Sequence, residues 1–122
     1  MKKILAMGLI LALCLCGCGS KGLKGIPQDT YDDMVKITEI VDEYLDLEMD
    51  ADEAQEKIEQ LRGRIHLEFI DEEDTEVNLL ILDSCLNAII SNMMSVTYYD
   101  DGSYDGRLSE SNQELKEELG IE

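Results

Sequence analysis

The chain has 122 residues, and its 28 acidic against 10 basic side chains give a formal net charge of −18 at pH 7. A surface this negative repels nucleic acid and anionic lipid headgroups, so it excludes nucleic acid as a partner and favours cations and basic proteins. Hydrophobic residues make up 44% of the chain and recur at regular spacings, which indicates a folded domain rather than a disordered acidic segment.

The N-terminal residues have the pattern of a secretory leader. Two lysines precede an apolar run over residues 4–15, which is too short for a transmembrane helix of about 20 residues. The run ends in Leu15-Cys16-Gly17-Cys18, with a leucine three positions before Cys18 and a glycine immediately before it. This tetrapeptide resembles the lipobox of bacterial lipoproteins.

The resemblance implies that residues 1–17 are a signal peptide and that Cys18 becomes the first residue of the mature protein, thioether-linked to a diacylglycerol. Two acyl chains give a stable anchor where one does not, because each buried CH₂ group contributes about 0.8 kcal/mol. The protein would then be lipid-anchored at the extracytoplasmic face of a cell membrane. The alternative is an ordinary secretory signal, which leaves Cys18 as a free or disulfide-bonded thiol.

Residues 18–29 predict a flexible linker between the anchor and a helical domain over residues 30–122, because three glycines and the only proline fall there. Apolar residues at helical spacing then predict a first helix over about 30–48, with Asp29 or Thr30 as its N-cap. A second helix should begin after Asp50, since Glu53 three residues later completes a capping box.

The apolar stripe of the second helix continues through Ile65 to Phe69, so we expect that helix to end between residues 67 and 70. His66 is the only histidine of the chain and lies at the edge of this stripe. Because no second histidine accompanies it, we expect a boundary residue rather than a metal ligand or a catalytic base.

A third helix over about 73–98 is apolar around most of its circumference, which predicts a central helix buried on several sides. It contains Cys85, the one thiol left beside Cys18 after the leader, and we expect a buried small hydrophobe rather than a reactive group. The apolar arcs exceed what a small bundle covers. We therefore predict an exposed apolar groove or a self-association surface near Met93 and Met94.

Residues 101–112 resemble an EF-hand calcium loop. Three oxygen-bearing residues occupy its first, third and fifth positions, namely Asp101, Ser103 and Asp105. Gly106 takes the sixth position, but Asn112 stands where an EF-hand has a bidentate glutamate. The resemblance implies at best weak calcium binding by those three residues. The alternative is a plain turn before a short last helix, capped by Ser109 or Ser111 and ended by Gly120.

The sequence as a whole predicts an all-α fold, a small three-helix bundle with a short C-terminal helix. No catalytic constellation and no phosphate-binding glycine loop is found, so we predict a binding or structural role rather than an enzyme. The expected partners are the membrane, through the lipid at Cys18, and an envelope or secreted protein with a basic or apolar surface. A calcium-responsive module is the alternative. A hydrolytic enzyme would need a convergent polar pocket around His66.

Overall fold

The structure is a computed structural model that describes residues 22–121. Within these residues the chain forms four helices and no strand: α1 (Gln28–Leu45), α2 (Ala51–Gly63), α3 (Leu79–Tyr99) and α4 (Asp105–Leu119). Two short 3₁₀ turns, Leu67–Phe69 and Glu72–Asp74, lie between α2 and α3. The predicted all-α fold class is confirmed. The predicted signal peptide and Cys18 lie outside the described residues.

The four helices form an antiparallel ring in which each helix packs against two neighbours. α1 packs against α2 and α4, and α3 packs against the same two helices from the other side. The ring closes where the Tyr31 hydroxyl, near the start of α1, donates to the carbonyl of Leu119 at the end of α4. The prediction that the third helix is central was wrong, because α3 occupies one corner and keeps an exposed face.

The core lies along the axis of the ring, where all four helices contribute apolar side chains at helical spacing. Its fully buried members include Met34 and Ile37 from α1, Ile58 from α2, Leu86, Ile89 and Met93 from α3, and Leu108 and Leu115 from α4. Cys85 is also buried, as predicted, and burial raises the pKa of its thiol.

The N-terminal segment is part of the fold rather than a linker as far as it is described. Ile26 is buried in the core, Leu23 packs against the core, and α1 begins at Gln28. Gly25 has a φ of +83°, and a Cβ atom there would lie 2.3 Å from the carbonyl oxygen of Asp74. This close approach fixes the segment against the second 3₁₀ turn, so the predicted linker over residues 18–29 is wrong from residue 23 onward.

The start of α2 agrees with the prediction, and the start of α1 does not. The Asp50 carboxylate accepts the Glu53 amide at 2.8 Å, as predicted for the start of α2. α1, in contrast, begins at Gln28 after Pro27, without a side-chain cap from Asp29 or Thr30. It begins earlier than predicted because proline has no N–H to lose in the first turn of a helix.

α2 ends at Gly63 rather than at residues 67–70, so the 3₁₀ turn carries Phe69 into solvent. α3 begins only at Leu79, because the Asn78 side chain accepts the amides of Leu80 and Ile81 at 3.0 and 3.4 Å. α4 ends before Gly120 as predicted.

Candidate interaction surface

The predicted calcium loop is not assembled, because α4 begins at Asp105 and residues 105–112 are helical. In an EF-hand these positions wrap around the cation instead. The prediction that Ser109 or Ser111 caps the last helix is wrong for the same reason. Ser111 is buried instead, and its hydroxyl accepts a hydrogen bond from Asn92 of α3 at 2.7 Å.

Of the three predicted ligands, Asp101 and Ser103 contact each other, and Asp105 contacts α1. The Asp101 carboxylate accepts the Ser103 amide at 2.9 Å in a tight turn, and hydrogen bonds from Ser103 lower the pKa of Asp101. The Asp105 carboxylate accepts the Tyr44 hydroxyl of α1 at 2.7 Å. Burial of Tyr44, followed by this hydrogen bond and the charge of Asp105, raises the pKa of Tyr44 to about 12. Asp105 therefore has a structural role at the α1–α4 contact.

Asn112, the twelfth position of the predicted loop, points into the bundle. It is 2% exposed, and its amide Nδ2 donates to the Thr38 carbonyl at 3.3 Å and to the Asp42 carboxylate at 3.1 Å. Its Oδ1 is buried without a hydrogen-bond partner. Lys116 lies 2.7 Å from the second oxygen of Asp42 and balances its charge. The residue that departs from the EF-hand pattern thus belongs to a polar contact between α1 and α4.

His66 is exposed at the end of α2, where its ring lies 3.4 Å from the Glu68 carboxylate and 5.7 Å from the ring centre of Phe69. The His66 side chain is 55% exposed and lies on the surface of the fold. Across residues 22–121, no three His, Cys, Asp or Glu side chains are grouped so that they could hold a metal ion.

A groove of about 640 Å³ lies between α1 and α2, above a floor that includes Ile40 and Leu61. Its walls carry both signs of charge, with Lys57 on α2, Arg64 just after α2, and Lys36 and glutamates on α1. Lys57 lies 3.4 Å from Glu53, and Arg64 is paired with Asp33 of α1. Lys36 forms no ion pair within residues 22–121, so the groove offers one cation beside its glutamates and has no charge of a single sign.

The outward side of α3 is different, because its exposed positions carry no charge. Six of them follow one another at steps of four and three residues and form the surface named here the α3 face: Leu80, Ser84, Asn87, Ser91, Met94 and Tyr98. Asp83 is the only charged residue within the helix, and it is paired with Arg62 of α2 at 2.7 Å. Of the two methionines near which an apolar surface is predicted, Met94 lies on the α3 face and is 51% exposed, whereas Met93 is 1% exposed and belongs to the core.

Acidic side chains flank the α3 face on both sides. On α2, Asp52 and Glu59 share a helical stripe with Gln55, which lines a shallow pocket beside Met94 and Tyr98. On α4, Glu114 lines a second shallow pocket with Leu80 and Ser84 of the α3 face. The α3 face is therefore an uncharged strip flanked by carboxylates of α2 and α4. The two arginines beside it have partners, because Arg62 is paired with Asp83 and Arg107 lies over the Tyr104 ring.

By length and composition, α3 is also apolar enough to cross a bilayer, with a mean hydropathy of 1.6 over its most apolar stretch. Core helices of water-soluble proteins have the same properties, and α3 packs against α2 and α4 in this structure. The chain matches no protein-family model, no curated protein and no solved structure, so its function has to be inferred from these surfaces.

Proposed function

We propose that this protein is a lipid-anchored extracytoplasmic binding protein whose α3 face contacts another protein. The anchor is the diacylglyceryl group that the lipobox-like residues imply for Cys18. The observation that supports the binding role is the uncharged α3 face in a chain whose formal charge is −18.

An exposed helix face without charge needs an explanation in a protein this acidic. Exposed positions of α2 include Asp52, Glu56 and Glu59, whereas the α3 face presents leucine, methionine and tyrosine among small polar residues. Charged residues are depleted from the centres of protein interfaces, where aromatic residues and methionine are enriched. The α3 face shares the lack of charge, and Met94 and Tyr98 at one end have this composition, whereas Ser84, Asn87 and Ser91 make its middle polar. The carboxylates on both sides have the polarity of an interface edge.

The flanking carboxylates also define the chemistry of the partner. A helix that lays an apolar stripe along the α3 face brings its flanking residues next to Glu59 on one side and Glu114 on the other. Basic flanks would be attracted there, and acidic flanks would be repelled. The proposed partner is therefore an amphipathic helix with an apolar stripe between Lys or Arg residues. A second copy of this chain is disfavoured, since its own α3 face is flanked by carboxylates.

The binding role is tested with a synthetic amphipathic helix of leucine and lysine and with two matched variants of the protein. Ser91→Glu places a carboxylate in the middle of the α3 face, and Ser109→Glu places the same charge on the exposed side of α4. We expect Ser91→Glu to weaken binding about tenfold or more, because burial of an unpaired charge costs at least about 1–3 kcal/mol. Ser109→Glu should leave the affinity within about twofold of the parent.

A peptide of the same composition with its leucines scrambled measures the non-specific attraction between a cationic peptide and an acidic protein. Equal losses in the two variants, or equal binding of the scrambled peptide, would show that the α3 face is not the contact surface. The anchor is tested separately by the mass of the mature chain from a bacterial host and by Cys18→Ser. That variant should move the protein from the membrane fraction to the soluble fraction.

A further inference from the structure

The place where the chain enters the fold restricts how an anchored protein can be oriented. Ile26 is buried, Leu23 packs against the core, and Gly25 lies against the backbone of Asp74. The described chain therefore begins at one defined end of the bundle. That end also holds the start of α1 and the end of α2, which the ion pair between Asp33 and Arg64 joins.

The distance from the anchor to this end is short. Cys18 and Gly22 are four residues apart in the sequence, and a chain extends by at most about 3.6 Å per residue. The reach from the acylated residue to the described fold is then about 14 Å or less. This step rests on the anchor of the proposed function. With it, the bundle end that contains Gly22 must lie next to the bilayer surface.

Phe69 is the most exposed apolar side chain in the connection between α2 and α3, at that same end. It is 82% exposed, although Leu67 two residues earlier is buried and Ile70 packs partly against the core. The turn is therefore held in place while the phenyl ring points away from the core. Aromatic and large aliphatic side chains of membrane-bound proteins enter the boundary between headgroups and acyl chains.

We propose that this end of the bundle docks on the bilayer, with Phe69 inserted into the interfacial layer and α3 directed away from the membrane. The acidic residues of the turn Glu72–Asp74 lie at the same end and limit how deeply it can enter. These carboxylates repel anionic lipid headgroups over a distance of about 10 Å at 0.1 M salt. The partner in this proposal is the interfacial layer of a zwitterionic bilayer.

The chain contains no tryptophan, so single tryptophan variants report one position without background. Phe69→Trp reports the proposed contact. Tyr98→Trp is the matched control, because Tyr98 is 81% exposed and lies near the end of α3, at the opposite end of the bundle. Both full-length variants are purified in acylated form, checked by mass and circular dichroism, and placed in phosphatidylcholine vesicles that contain lipids brominated near the headgroup.

We expect bromine to reduce the emission of the Phe69→Trp variant about twofold or more and to leave the Tyr98→Trp variant nearly unchanged. Emission from Phe69→Trp should also shift to shorter wavelength when vesicles are added. Equal quenching of the two variants, or stronger quenching of Tyr98→Trp, in acylated protein would overturn the orientation while the anchor stands. A mature chain whose mass lacks the diacylglyceryl group would overturn both the anchor and the orientation.

Discussion

Asn112→Glu separates the EF-hand interpretation of residues 101–112 from the bundle seen in the structure. In an EF-hand loop, a glutamate at the twelfth position supplies two oxygens to the cation, so this substitution should complete the site and increase calcium affinity. In the structure, Asn112 is 2% exposed and donates to the Asp42 carboxylate at 3.1 Å. The substitution then replaces a donor with a buried carboxylate beside another carboxylate.

The expected loss of stability follows from these distances. Two hydrogen bonds of the Asn112 amide are lost, at about 1 kcal/mol each. Two unit charges about 4 Å apart repel each other by about 4 kcal/mol at an effective dielectric constant of about 20. Lys116, 2.7 Å from Asp42, offsets part of this repulsion. We expect a net loss of about 3–5 kcal/mol at pH 7, a large part of the stability of a domain this size.

The assay is urea unfolding of residues 19–122, with Asn112→Gln as the control for side-chain length without charge. Burial and Asp42 should raise the folded-state pKa of the new glutamate above its unfolded value of about 4.3. The difference in the free energy of unfolding between Asn112→Glu and Asn112→Gln should therefore be largest above the folded-state pKa of the glutamate. It should decrease as the pH falls to about 4. Equal stability of the two variants at pH 7, or a stabilisation of Asn112→Glu by calcium but not by magnesium, would refute this reasoning.

Two further predictions concern the backbone and a half-buried phenol. Leu47 is 92% exposed with a φ of +62°, and it makes the hydrogen bond to Tyr44 that ends α1. Leu47→Gly should stabilise the fold by about 0.5–1 kcal/mol in thermal melts and Leu47→Ala should not, because only glycine adopts this φ without a steric cost. Tyr44 has a pKa raised to about 12 by burial and Asp105, so ultraviolet titration should show an ionisation near pH 12 that Tyr44→Phe removes. The stability from this hydrogen bond should be complete below pH 10 and decrease as the pH approaches 12.

Local signals in the sequence predicted the helices and some of their ends. Asp50 and Gly120 were identified correctly, because an N-cap carboxylate and a left-handed C-terminal glycine act within one turn of their own helix. Asn78 was missed, since the acidic residues 71–74 also suit the start of a helix. They form a 3₁₀ turn instead, and Asp71 accepts the Glu73 amide within it. Sequence alone cannot decide which of two candidate N-caps seven residues apart, Asp71 or Asn78, begins the helix.

The polar contacts between helices were beyond sequence reasoning because they join distant residues. Asp105 suited a cation by its residue type and Asn112 did not, but the hydrogen-bond partners of both, Tyr44 and Asp42 of α1, lie across the bundle. Periodicity also overestimated the burial of α3. A helix apolar around its circumference is buried on all sides only if enough neighbours surround it, and a ring of four helices gives α3 two neighbours.

The direction of α3 connects the two proposals. The helix begins at the bundle end where the described chain starts, and the α3 face runs from Leu80 to Tyr98, about 27 Å at 1.5 Å per residue. If that end docks on the bilayer, Leu80 lies near the headgroups and Tyr98 lies farthest from them. The α3 face then runs away from the membrane surface, and a partner can reach each of its positions from the side. A partner helix anchored in the same membrane could follow the whole strip, whereas a soluble partner would meet the end with Met94 and Tyr98 first. The same anchor that confines the protein to the surface would thus favour partners that also project from that surface.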